Sequence, residues 1–196
     1  MNPLDRDDAR AIIESLLFTS GSPLSLEKLR RLLPESPKGW IPEILGELTR
    51  HYDKQNSGIR LVKIAGGYQL RTPAHLAPWA ARLKQTPAPK LSKAALETLA
   101  VIAYRQPIIR SEVEYLRGVD SGGTIRTLLD LRLIRVSGRK EIPGRPLIYV
   151  TSRQFLELFG LESLDALPSP EELGALDVPE QTPDHSKAMD SEEPSP

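Results

Sequence analysis

Twice along this chain the same succession appears: three short apolar helix patterns, then two strand patterns around a glycine-containing turn. That repeated order restricts the fold more than any composition figure, because each copy must bury three helical stripes against one hairpin. The second copy, residues 91–149, is the sharper. Ser92 stands where a helix N-cap belongs. Behind it Leu96, Leu99, Ala100 and Ala103 keep the i, i+3, i+4, i+7 spacing of one helix face. Pro107 ends the pattern, since the residue before a proline is pushed out of the α region. Ser111 with Glu114 forms a capping-box signature for a second helix, faced by Val113 and Leu116 and closed by Gly118. Asp120 or Ser121 can cap a third, in which Ile125, Leu128 and Leu129 recur at helical spacing. The period then changes. Residues 133–136 and 147–150 are short and rich in β-branched or aromatic side chains, with Gly138, Pro143, Gly144 and Pro146 between them, as in a hairpin with a long tip.

The first copy, residues 9–72, repeats the pattern more than the letters. Ala9, Ile12, Ile13, Leu16 and Leu17 mark one helix; Ser25 caps the next, with Leu26, Leu29, Leu32 and Leu33; a third, over 38–52, carries Ile41, Ile44, Leu45 and Leu48. Gly66 and Gly67 separate two strand-like runs, a hairpin signal. In both copies the first helix is followed by a proline (Pro23, Pro107), an aliphatic residue (Leu24, Ile108) and then a serine cap. Helix, helix, helix, hairpin is the order of a winged helix-turn-helix. The expected fold class is therefore mostly α with small β-hairpins (α+β), as two tandem winged helix-turn-helix domains over 1–83 and 91–168. Residues 75–83 add a short helix pattern. The linker, 84–90, holds two prolines in seven residues, so it should be stiff and keep the domains apart. Thr151 with Gln154 announces a last helix bearing Phe155, Leu158 and Phe159, and a turn is possible at 170–173. A disordered acidic C-terminal tail is expected over 169–196.

Composition narrows the chemistry. The 196 residues include no cysteine, which removes disulfides, thiolate zinc sites and cysteine nucleophiles. No run of about 18 apolar residues is available to span a membrane, and the acidic N-terminus lacks a signal peptide's features. His51, His75 and His185 never share a helix at i, i+4, so no metal site is expected. Gly118, Gly122 and Gly123 lie between two helices, whereas a phosphate-cradling loop follows a strand. Paired carboxylates such as Glu112/Glu114 sit where acids ordinarily sit, in a first helical turn. The reading is of a protein without catalytic residues, cofactor or small-molecule substrate, acting in the cytoplasm.

Net charge is zero, but residues 177–196 hold six acids and one lysine, leaving 25 basic and 20 acidic residues before them. That mild surplus keeps a nucleic-acid reading open. Arg126 and Arg132 on the third helix of the second copy, with Arg135, Arg139, Lys140 and Arg145 around its hairpin, are placed to grip phosphates. Against it, the start of that helix, Asp-Ser-Gly-Gly-Thr-Ile, is poor in groups that read base edges. The alternative function is thus a winged-helix DNA-binding transcription regulator.

Residues 91–168 closely resemble the segregation and condensation protein B (ScpB) family. The likeness lies in the Leu91-Ser92-Lys93-Ala94-Ala95-Leu96-Glu97 helix opening, the Ala103-Tyr104-Arg105-Gln106-Pro107-Ile108 turn and the Arg117-Gly118-Val119 junction. It continues through the Gly138-Arg139-Lys140 to Gly144-Arg145-Pro146 wing, the 155–161 run and the Leu164-Asp165-Ala166-Leu167-Pro168 end. Glu14-Ser15-Leu16-Leu17-Phe18 and Gly66-Gly67-Tyr68-Gln69-Leu70 resemble the family's first domain. The resemblance implies a non-enzymatic subunit that homodimerises mainly through its first domain and binds the kleisin ScpA, which bridges the heads of an SMC ATPase. It implies a condensin-like role in chromosome condensation and segregation, association with the nucleoid, and DNA contact that is indirect or weak. Partner contacts are expected on the second domain and its wing, at Tyr104, Arg139, Arg145, Pro146 and Tyr149.

Overall fold

Asp5 begins the folded chain. Its carboxylate accepts from the Asp8 amide at 2.7 Å and caps α1 (Arg6–Thr19) in the computed structural model, which describes residues 4–54, 56–83, 91–169 and 171–172. Ser25 caps α2 (Leu26–Leu32), its hydroxyl accepting from the Lys28 amide at 3.2 Å, and α3 (Trp40–Lys54) follows with Pro42 in its first turn. The three helices close on one core of Ala9, Ile13, Leu17, Leu29, Leu33, Ile41, Ile44, Leu45 and Leu48. Ile12, expected on the inner stripe of α1, is largely exposed. Tyr52 of α3 donates to the Glu14 carboxylate of α1. Burial first, and then that hydrogen bond, push the Tyr52 phenol up to about 12, so it stays protonated and ties the two helices.

β1 (Arg60–Ile64) and β2 (Gly67–Arg71) pair antiparallel from Arg60↔Arg71 to Ile64↔Gly67. The turn between them, Ala65 and Gly66, has φ of +48° and +69°, the left-handed pair that suits the twist of a two-residue hairpin. Leu24 adds a one-residue third strand: it exchanges 2.9 Å backbone hydrogen bonds with Tyr68 in both directions. Gly67 is what lets Leu24 approach, because a Cβ there would stand 2.8 Å from the Leu24 carbonyl carbon and oxygen. A 3-10 turn at Ala74–Leu76 leads into α4 (Ala77–Leu83), which buries none of its residues.

The second half repeats the plan. Ser92 caps α5 (Lys93–Arg105), accepting from Ala95 at 3.2 Å. Its buried face is Ala95, Thr98, Leu99, Ile102 and Ala103, turned from the expected stripe so that Leu96 is 45% exposed. A buried threonine is tolerated because its hydroxyl donates to the Ala94 carbonyl at 2.8 Å and accepts from Arg117, which also holds the Glu97 carboxylate at 2.9 Å. After Pro107 comes β3 (Ile108–Ile109), then α6 (Arg110–Arg117), α7 (Gly122–Asp130), β4 (Ile134–Arg139) and β5 (Leu147–Thr151). The sheet order is β3-β5-β4, all antiparallel, so β5 is the central strand. Ile108 opposite Tyr149 is the counterpart of Leu24 opposite Tyr68.

Two expected caps are displaced. α6 starts at Arg110, and Glu112, not Glu114, reaches back to the Ile109 amide at 3.1 Å. Glu114 instead pairs with Arg110 at 2.6 Å and accepts from the Ser121 amide at 3.2 Å. Ser121 is the N-cap residue of α7 but makes no side-chain cap; Asp120, one residue before it, accepts from the Gly122 amide at 2.9 Å. α8 (Arg153–Phe159) is capped by Ser152 and not Thr151. Thr151 is engaged elsewhere: its amide and hydroxyl both donate to Oε1 of Gln106, at 2.8 and 3.0 Å, while Gln106 Nε2 donates to the Ala103 carbonyl at 3.0 Å. This staple joins the end of α5 to the end of β5. Gln106→Leu keeps the volume but orphans a buried amide and hydroxyl, so a loss of about 1–3 kcal/mol in urea unfolding is expected; Thr151→Val in the same background should recover the part due to the hydroxyl.

The linker expected at 84–90 lies outside the described residues. The halves it was expected to hold apart do touch: the Ala65 and Gly66 amides donate to the Leu161 and Glu162 carbonyls at 2.8 and 3.0 Å. Residues up to Ala166 form one compact unit. Of the expected disordered tail, residue 170 and 173–196 also lie outside the described residues. Ser169 and Glu172 exchange amide-to-side-chain hydrogen bonds of 2.7 and 3.2 Å, a reciprocal capping box.

Candidate interaction surface

The hairpin of the second half carries most of the residues expected to meet a partner, and its tip is built by its own backbone. Beyond Arg139 the Lys140 amide donates to the Pro146 carbonyl, Ile142 to Lys140 and Arg145 to Ile142, each at 2.9 Å. Gly144 and Arg145 have φ of +82° and +40°. Arg145 is a non-glycine residue in the left-handed region, a conformation kept only where the surroundings over-determine it. Here its carbonyl accepts from Arg139 at 3.1 Å, and its guanidinium holds Glu141 at 2.7 Å. The tip is then tied to α6, where Lys140 pairs with the Glu112 carboxylate at 2.6 Å. Lys140 first, and the Ile109 amide second, hold Glu112 below its usual carboxylate range. One acid thus caps α6 and anchors the wing.

Part-way along β4 the ladder slips. Ile134, Arg135 and Val136 face Thr151, Val150 and Tyr149 in turn, but Gly138 faces Ile148 and Arg139 faces Leu147, leaving Ser137 as the extra residue of a β-bulge.

The five expected contacts divide. Arg139 and Arg145 are exposed at the tip, and Pro146 is half-buried beside them with its carbonyl engaged. Tyr104 lies on α5, 38% exposed. Tyr149 is only 7% exposed, because α5 and α6 pack against β5 and cover the face it projects from. It belongs to the core, and its side chain is not presented to a partner. What the sequence reading passed over is the outer side of α6. Tyr115 is 86% exposed, Leu116 and Val119 are exposed beside it, and Ser111, Glu112, Tyr115 and Leu116 line a cleft of about 310 Å³. Leu116, expected on the core face at i+3 from Val113, is exposed. A Tyr-Leu pair on a helix of eight residues has too little periodicity to reveal which of them faces out. Glu112 joins the two features, lining the cleft while it holds the wing lysine.

No group of three or more histidine and acidic side chains with metal-binding geometry exists among the described residues, and none of their helices is long and apolar enough to cross a membrane. Fold and surface together define a tandem winged-helix protein whose distinctive exposed features are an apolar helix face and a self-braced wing, the equipment of a macromolecule-binding module. The chain belongs to the family of segregation and condensation complex subunit ScpB, whose model matches residues 11–170. It is 49% identical over 173 residues to segregation and condensation protein B of Syntrophotalea carbinolica, covering 88% of this chain and 87% of that one. The protein of the same name from Moorella thermoacetica is 44% identical over 169 residues, 86% of each. A crystallised dimer of ScpB N-terminal domain complexed with ScpA peptide is 32% identical, covering 39% of this chain and 95% of that one at a TM-score of 0.36.

Proposed function

We propose that this chain is a non-enzymatic accessory subunit of an SMC–kleisin complex: a cytoplasmic, nucleoid-associated homodimer that binds the kleisin ScpA and supports chromosome condensation and segregation. The observation that carries the reading is that both halves fall within the match to a family of segregation and condensation complex subunits. In this reading residues 1–83 dimerise and residues 91–168 take an extended kleisin segment. The segment runs over the α6 cleft and the wing tip, against Tyr104, Tyr115, Arg139, Arg145 and Pro146. A dimer offers two such surfaces at high effective concentration, so each contact can be small.

The test is a titration of the full chain with its own kleisin. Arg139→Ala with Arg145→Ala, and separately Tyr115→Ala, are expected to weaken binding about tenfold each, as central aromatic and arginine contacts do. Circular dichroism should stay unchanged. Intact binding in both variants would remove this surface from the reading. Failure of the unaltered chain to bind its kleisin would remove the adaptor role. Tight duplex-DNA binding that falls steeply with salt would favour the transcription-regulator alternative.

A further inference from the structure

Four hydrogen bonds and an ion pair join the two halves, and on the second half they converge on α8 and the residues just after it. The first turn of α8 supplies Arg153, whose guanidinium donates to the Pro23 carbonyl at 2.9 Å, next to the strand residue Leu24. Its last turn supplies the Glu157 carbonyl, which accepts from Arg71 of β2 at 2.8 Å. Such carbonyls have no partner within their own helix, and a cation from outside suits both the vacant lone pair and the helix dipole. Gly160, at φ +72°, turns the chain out of α8, and the two residues after it meet the first hairpin. There the consecutive left-handed residues Ala65 and Gly66 direct two successive amides to the Leu161 and Glu162 carbonyls, and Lys63 pairs with the Glu162 carboxylate. Between these contacts the halves do not close. Arg71, Leu133, Gln154, Glu157 and Leu158 surround a cleft of about 310 Å³, and Leu158 keeps more than half its surface in solvent.

Polar contacts of this kind hold a junction weakly. Each hydrogen bond replaces one to water, so its net contribution is small, and an exposed ion pair adds less. Each half has its own buried, mostly aliphatic residues, which can persist when the junction parts. Polar junctions between folded units ordinarily permit relative motion.

From this we infer that the first hairpin, with Pro23, and the α8 segment 153–162 form a reversible latch, so that the chain alternates between a closed arrangement and an open one in which both winged-helix units stay folded. The closed state creates the cleft under Arg71. The open state releases the Ala65–Gly66 amides, and leaves Arg71 with Gln69 and Arg153 with Glu157 as their remaining partners. This device is independent of the kleisin reading and holds or fails without it.

Because the chain has no cysteine, distances can be read without altering native thiols. Spin labels on Lys28→Cys and Arg126→Cys, both exposed and one in each half, are measured by double electron–electron resonance in the full chain. Two distance populations are expected. Arg71→Ala with Arg153→Ala should move the ratio about tenfold toward the longer one, as the loss of two charged hydrogen bonds dictates. Glu162→Lys should move it the same way, and Lys63→Glu in that background should return it. These exchanges leave the backbone and both cores untouched, so they remain readable even where the double alanine variant unfolds. A single narrow distance, unmoved by any of the exchanges, would mean a rigid body and overturn the latch.

Discussion

Gly67→Ala is expected to cost the first half about 3 kcal/mol, the upper part of the range for forcing an extra carbon into a packed site. The added Cβ would meet backbone, the carbonyl carbon and oxygen of Leu24 at 2.8 Å and the Ser25 amide nitrogen at 3.1 Å, and backbone cannot swing aside as a lysine tip can. Relief requires parting Leu24 from Tyr68, which breaks two hydrogen bonds and displaces the cap of α2. Both tryptophans, Trp40 and Trp79, lie in the first half, so urea unfolding followed by tryptophan fluorescence reports that half alone. Gly21→Ala, in the same half, is the control. Its Cβ would meet nothing within 4 Å, and a change within about 0.5 kcal/mol is expected. Equal effects for the two glycines would refute the steric account.

The second half should respond most to Leu128→Ala, with a loss of about 2–5 kcal/mol, the transfer and cavity cost of a fully buried leucine. Leu128 is inaccessible on α7, and the same residue's carbonyl accepts from Leu133 at 2.9 Å, where the helix hands over to β4. The cavity would open between α7, α5 and the base of the wing. With no tryptophan in that half, the transition is read by far-ultraviolet circular dichroism. Tryptophan fluorescence should keep its original midpoint if the halves unfold separately, and follow the shift if the latch couples them.

Most of this architecture was legible because its signals are local. Ser25 and Ser92 announce their helices by accepting from amides three residues on, and the Gly66-Gly67 pair fixes its hairpin by backbone geometry. The third strand of each sheet was not, for a physical reason. One or two residues have no alternation to detect, so Leu24 and Ile108-Ile109 read as helix-flanking aliphatics until their partners were in place. The burial of Tyr149 was hidden too, because it depends on which face of β5 the helices cover, and that is a tertiary contact. The cap of α6 escaped because Glu112 reaches a backbone amide, which Ile109 offers as well as any serine would. Thr98 escaped because part of its polarity is satisfied from afar, by Arg117 nineteen positions on, beside the local bond to Ala94.

The extra residue in β4 has a bearing on charge. Side chains alternate along a strand, so Arg135 and Arg139, four apart, would share a face in a regular ladder. With Ser137 unpaired, Arg139 falls opposite Leu147 and takes the side of Tyr149 and Thr151, while Arg135, opposite Val150, points the other way. Arg135 and Arg139 thereby leave the hairpin on opposite sides. A polyanion lying along one side meets only one of these two guanidiniums, whereas a chain wrapped around the edge meets both.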